Sequence, residues 1–128
     1  MGVLVSNGAA ITFPAFAAQQ VITAVRTRRA SDDGQPIMKR LAAAVTVAAN
    51  EQFNFPEGAL DFKYNSGDYT DAHMRAVVES YWGSGGTLNT EIDLMEGADG
   101  SETVCNDTNY AQQSTNDWDV AIEADDSP

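Results

Sequence analysis

Three segments in the second half of the chain alternate apolar with polar residues, and this period of two constrains the fold most. The alternation covers residues 60–64, 88–94 and 118–122. Because successive side chains of a β-strand point to opposite faces, each segment predicts a strand with one buried face. The polar positions are rich in Asp and Glu, so one face of the resulting sheet is expected to meet solvent or a basic partner.

A helix is predicted over residues 71–82, between the first two of these strands. Thr70 or Asp71 can cap its start, and Gly83 stands where it should stop. Its apolar residues recur at helical spacing and should share one face: Met74, Val77, Val78, Tyr81 and Trp82.

The first half of the chain has less certain patterns. Asn7-Gly8 between two short apolar runs predicts a β-hairpin, since both residues tolerate positive φ. Residues 15–30 fit a helix by their apolar stripe and a strand by their β-branched residues, and both alternatives stay open. Over residues 36–52 apolar residues recur at helical intervals after Pro36 and alanine is abundant, which predicts a helix.

Together these elements predict an α+β fold, a small and mostly antiparallel sheet with two or three helices packed on one face. The length of 128 residues fits a single domain. Within it we distinguish an N-terminal hairpin and helical part, residues 1–52, from an acidic strand-rich part, residues 58–124.

The charges are unevenly distributed along a chain whose net charge is −12. Residues 1–50 carry five basic and two acidic residues, a balance of +3, whereas residues 51–128 carry two basic and 17 acidic residues, a balance of −15. This separation predicts docking onto a partner of opposite sign. The expected partner-binding residues are a basic cluster of Arg26, Arg28, Arg29, Lys39 and Arg40, and an acidic strand and tail of Asp117, Asp119, Glu123, Asp125 and Asp126.

Catalytic and metal-binding patterns are weak. His73 is the single histidine, and the acidic neighbours of the single cysteine, Cys105, disfavour a reactive thiolate. The glycine-rich run after residue 82 follows a helix, whereas phosphate loops precede one, so no nucleotide cofactor is expected. Four acids in one predicted loop are the candidate ligands for weak binding of a divalent ion: Asp93, Glu96, Asp99 and Glu102.

The leading hypothesis is therefore a non-enzymatic structural subunit of a larger oligomer, whose partners are copies of itself or other subunits. A virion component, such as a capsid-decorating, neck or tail protein, is one setting. The alternative is an acidic inhibitor that mimics nucleic acid and binds a basic DNA-binding protein. Halophilic adaptation would explain the acidity by itself, since high salt screens surface repulsion. The absence of a secretory signal or long apolar run predicts a location in the cytoplasm or in a virus particle, and direct binding to membrane or nucleic acid is not expected.

Overall fold

The computed structural model describes residues 2–29, 36–83 and 85–123, and it is dominated by strands. Strand accounts for 46% of the described residues and helix for 10%, with one α-helix among them. The prediction of two or three helices on one face of a sheet is therefore wrong. Every strand pairing with a known register is antiparallel, as the sequence analysis expected.

The elements follow one another along the chain in an order that places the helix between the sixth and seventh strands. Their bounds are β1 Gly2–Asn7, β2 Ile11–Thr12, β3 Gln20–Arg29, β4 Ile37–Val47, β5 Asn54–Phe55, β6 Asp61–Asn65, α1 Asp71–Trp82, β7 Thr90–Glu96, β8 Thr103–Val104, β9 Gln113–Thr115 and β10 Trp118–Ile122.

The chain divides into two compact units, each built from separated segments. Unit 1 comprises Met1–Ile11, Phe55–Asn89 and Asn116–Pro128, and unit 2 comprises Thr12–Asn54 and Thr90–Thr115. Each unit draws residues from both the N-terminal and the acidic parts distinguished in the sequence. The single-domain organisation stays a prediction.

Unit 1 contains a three-stranded sheet in the order β10-β1-β6, and α1 contacts this sheet. Val3 and Val5 on the central strand are fully buried. They lie on the same face as Phe62 of β6 and Trp118 of β10, because the registers pair Val5 with Phe62 and Asn7 with Trp118. Trp82 of α1 packs against both aromatic rings, with centroid distances of 4.6 Å to each. This aromatic cluster forms the core of unit 1.

Helix α1 has the caps that its sequence predicts. The Thr70 hydroxyl accepts a hydrogen bond from the His73 N–H at 3.1 Å, and Gly83 ends the helix at a φ of 87°, which glycine adopts without strain. Of the predicted apolar face only Val78 and Trp82 are buried, and Val77 is 49% exposed. At 12 residues, with charged side chains along it, α1 falls short of a membrane span, and the part of the chain that the structure describes holds no other candidate.

Unit 2 contains a five-stranded sheet in the order β4-β3-β7-β8, with β9 also pairing with β7. The two central strands supply fully buried apolar side chains, including Val25 of β3 and Ile92 and Leu94 of β7. Phe13 and Phe53 pack edge to face with centroids 6.3 Å apart. The phenylalanines and the central strands supply the core of this unit.

The helix predicted over 36–52 is instead strand β4, followed by a turn. Its spacing of apolar residues fitted a helix, but Ile37, Val45, Thr46 and Val47 are β-branched and suit a pleated surface. Pairing with β3 bonds residues 37–40 and 45–47 on one side of the strand, and such tertiary pairing readily outweighs the helix propensity of alanine. The ambiguous segment 15–30 likewise resolves into a strand, β3.

The hairpin predicted around Asn7-Gly8 is also wrong. β1 pairs with β10 and β6, which are distant in sequence, whereas β2 pairs with β5. Asn7 is fully buried: its side-chain amide donates to the carbonyls of Ala9 and Pro56 at 2.9 and 3.0 Å, and its side-chain oxygen accepts from Leu60 N–H. The residue that suggested a turn thus binds a neighbouring loop. By contrast, β6, β7 and β10 confirm the three strands predicted by alternation.

Candidate assembly surface

Strand β4 forms an open edge of the unit 2 sheet and, at 11 residues, is the longest of the described strands. Among the described residues it pairs with β3 alone. Residues 42–46 are exposed without interruption, and Met38 and Val45 are 43% and 40% exposed. A long edge strand that presents apolar side chains is a template for pairing with another chain.

The pairing of β4 with β3 contains an irregularity near its middle. Ile22 pairs with Val45 and Ala24 with Arg40, so five steps along β4 correspond to two along β3. Three extra residues of β4 are therefore accommodated between two regular segments, 37–40 and 45–47. The positive charges of the strand, Lys39 and Arg40, lie in the first of these segments.

The basic cluster predicted from the sequence is placed on β3 and β4, where three of its five members pair with acids of the same unit. Arg26 pairs with Asp93 at 3.1 Å, Arg28 with Glu91 at 3.2 Å and Arg40 with Asp99 at 2.8 Å. The first two pairs follow directly from the register, which sets these residues opposite each other on β3 and β7. Arg29 and Lys39 also have interaction partners. Because these side chains have partners within the protein, the structure gives no support to the predicted docking of another molecule through the basic cluster.

Asp93 is the centre of a polar network in unit 2 and is itself 5% exposed. Its carboxylate accepts hydrogen bonds from the Tyr110 hydroxyl at 2.6 Å, Gln112 Nε2 at 2.8 Å and Arg26 Nη2 at 3.1 Å. Burial acts to raise the pKa of Asp93, but these hydrogen bonds and the Arg26 charge outweigh it and hold the pKa below its usual range. Both carboxylate oxygens accept hydrogen bonds, which is typical of a structural ion pair.

The residues proposed for metal binding are not brought together. Asp93 and Glu96 are three positions apart on β7, so their side chains point to opposite faces, and Asp99 pairs with Arg40. Within residues 2–29, 36–83 and 85–123 no group of three metal-ligating side chains is close enough to hold an ion.

The two other residues considered for chemistry, Cys105 and His73, lie in different settings, one buried and one exposed. Cys105 is buried, and burial together with the nearby charges of Glu96 and Asp107 raises the pKa of its thiol, although a backbone hydrogen bond from Asp107 opposes this. His73 is exposed on α1, with its ring 5.2 Å from that of Tyr69. Within the described residues, the Cys105 thiol has the Gln20 side-chain oxygen as its hydrogen-bond partner, at 3.8 Å, rather than a basic group.

The acidic residues predicted to bind a partner lie along β10 in unit 1. Asp117 precedes the strand, Asp119 is exposed on it, and Glu123 follows it and pairs with Lys63 at 3.1 Å. Asp125 and Asp126 fall outside the described residues. β10 is itself an edge strand of its sheet.

Sequence reasoning missed the exposed edge of β4, because the alanine-rich segment resembled a helix. The available signal was the run of β-branched residues at 45–47.

Comparison of the chain with protein-family models, with curated proteins and with solved structures finds no match in any of the three.

Proposed function

We propose that this protein is a non-enzymatic structural subunit that assembles with a second copy of itself through the open edge of β4. The observation that carries the proposal is the exposure of an 11-residue edge strand whose second half, residues 41–47, contains no charged residue. Natural sheet edges are commonly protected by charged side chains, prolines or bulges, and residues 45–47, beyond the irregularity of β4, carry neither a charge nor a proline. Pairing with another strand would satisfy its backbone and cover its apolar side chains.

The charges of β4 favour an antiparallel partner. In a parallel, in-register pair Lys39 and Arg40 would face their own equivalents, and like charges directly opposite each other are destabilising. In an antiparallel pair with its twofold axis at Ala42, Lys39 faces Val45 and Arg40 faces Ala44. The two Lys39 residues would then be about 20 Å apart, well beyond the Debye length of about 8 Å in physiological salt.

The same antiparallel register suits the irregular centre of the strand. It aligns residues 37–39 of one copy with the regular segment 45–47 of the other, so that residues 40–44 of both copies, which include the extra residues, meet around the axis. A symmetric pair of this kind is closed, because each copy uses its β4 edge once. A dimer is therefore the unit from which larger assemblies would be built.

Light scattering and sedimentation from low micromolar to near millimolar concentration test the proposal. The unmodified protein should dimerise, and Val45→Lys should be monomeric because it sets a lysine opposite Lys39 of the second copy. Val45→Glu should still dimerise because it introduces an opposite-charge pair at that position. Val77→Lys, on the exposed face of α1, is the matched control and should leave the dimer intact. A monomer at every concentration, or equal association of both Val45 variants, would refute the proposal.

The acidic nucleic-acid mimic remains a second candidate function, supported by the charges of unit 1. This unit has ten acidic residues and two basic residues, and both basic side chains are already paired, Lys63 with Glu123 and Arg75 with Glu79. The other acids of this unit would therefore be available to a basic DNA-binding protein without competition from the unit's own lysine and arginine. A mimic should displace double-stranded DNA from a basic DNA-binding protein, with a steep dependence on salt. Failure to displace DNA at low ionic strength would exclude this function.

A further inference from the structure

A groove runs along the open edge of β10 in unit 1. It has a volume of about 410 Å³ and is lined on one side by Arg75 and Glu79 of α1 and on the other by residues 118–121 of β10. A second depression of about 500 Å³ shares Gly85, Trp118 and Asp119 with it and extends to Asn116. The lining includes four consecutive residues of one strand, 118–121, so the groove lies along the length that an added strand would follow.

The backbone of β10 is oriented to pair with such a chain. Glu123 N–H donates to the Gly2 carbonyl at 2.9 Å, and Gly8 N–H donates to the Asp117 carbonyl at 2.8 Å. In an antiparallel ladder the directly opposed residues alternate between bonded and non-bonded pairs. The odd-numbered residues of β10 therefore bond to β1, and the backbone groups of Trp118, Val120 and Ile122 point to the open edge. In the described part of the chain no strand pairs there.

The side chains along this edge differ between the two faces of the sheet. The even-numbered residues lie on the face that α1 covers: Trp118 packs on Trp82, whereas Val120 is half-buried and Ile122 is 41% exposed. On the opposite face lie Asp119 and Ala121, both exposed, with Asp117 before them and Glu123 after them. An added strand would meet apolar groups on one face and carboxylates on the other.

We propose that the groove between α1 and β10 binds an extended peptide segment in which apolar and basic residues alternate. The peptide adds a fourth strand to the sheet beside β10, a common mode of peptide recognition. Its apolar residues cover Val120 and Ile122, and its basic residues lie beside Asp119. The charge of unit 1 supports this occupant, because both of its cations are already paired. This binding site does not depend on association at β4.

The test measures fluorescence anisotropy of labelled synthetic peptides added to the full chain carrying Val45→Lys, so that association at β4 does not interfere. A peptide of alternating valine and lysine should bind in a saturable manner. A peptide of alternating valine and glutamate should not bind. A third peptide has the composition of the first, with its lysines and valines in separate blocks, and it should bind about tenfold more weakly because the blocks cannot match both faces.

Two substitutions locate the binding site. Each result counts only if the circular dichroism spectrum of the variant is the same as that of the unsubstituted protein. Val120→Pro removes an outward N–H from the edge and should weaken binding of the valine–lysine peptide about tenfold. The fold itself should survive this substitution, because proline is tolerated on edge strands. Asp119→Lys should abolish that binding and permit binding of the valine–glutamate peptide. Asp99→Lys in unit 2 makes the same change of charge elsewhere and should have little effect. Equal binding of the alternating and block peptides, or no loss of binding in Asp119→Lys, would overturn the proposal.

Discussion

Replacing Asp93 by asparagine should destabilise unit 2 by about 3 kcal/mol at neutral pH. The Asp93 carboxylate accepts hydrogen bonds from the Arg26 guanidinium and the Gln112 amide on one oxygen and from Tyr110 on the other. Asparagine keeps the shape but removes the charge and turns one acceptor into a donor. Hydrogen bonds to a charged group contribute about 1.5 kcal/mol or more each, and at least two would be weakened. The partial exposure of Arg26, 29%, keeps the loss below that of a fully buried pair.

The effect should depend on pH in a defined direction. The pKa of Asp93 is lower in the folded protein than in the unfolded chain, where it is about 3.9. A lowered pKa contributes stability that is present above the unfolded value and is lost as the pH falls through the folded value. The difference in unfolding free energy between the protein and Asp93→Asn should therefore be largest at neutral pH and shrink below about pH 4.

Urea unfolding followed by circular dichroism at several pH values measures this difference. Asp99→Asn is the matched control, because Asp99 also pairs with an arginine, at 2.8 Å, but its side chain is 75% exposed. Exposed ion pairs contribute about 0–1 kcal/mol, so this variant should unfold nearly as the protein does. Equal destabilisation by the two substitutions, or a gap for Asp93→Asn that persists at low pH, would refute the reasoning.

Three further predictions concern other parts of the structure. Thr70→Ala should cost about 1 kcal/mol by removing the cap of α1, whereas Thr70→Ser should cost little; denaturant unfolding distinguishes them. Cys105 should react slowly with a thiol reagent in the native protein and rapidly in denaturant, and equal rates would contradict its burial. Asn7→Asp should destabilise unit 1 by about 3 kcal/mol or more at neutral pH, because a carboxylate would face backbone carbonyls that the amide now bonds; a smaller loss in thermal unfolding than for Thr70→Ala would contradict this.

Whether an element could be predicted from the sequence depended on how close along the chain the interactions that stabilise it are. Helix α1 was predicted with its caps, because the Thr70 hydroxyl and Gly83 act on backbone groups within a few residues. The segment 37–47 was assigned to the wrong element, because its state depends on pairing with β3, and the sequence alone does not show that pairing. The apolar residues of such a short segment fit both the helical repeat and the two-residue repeat of a strand, and pairing with a neighbouring strand determines which structure forms.

The candidate sites show the same division. The sequence identified Asp119 and Glu123 as acids of a strand, but only the structure showed that this strand lies at an open sheet edge beside α1. It also identified the arginines of β3 as a basic cluster. Their neutralisation by Asp93 and Glu91 depends on the register between β3 and β7, which sets residues far apart in sequence directly opposite each other.

By itself the sequence determined the properties that depend on composition and on near neighbours: the net charge, the alternating strands β6, β7 and β10, and the capped helix α1. Tertiary structure alone decided which strands pair, which edges stay open and which charges cancel. The physical reason is that strand pairing joins backbone groups, which are the same in nearly every residue, so its partners are selected by packing and register across the whole fold.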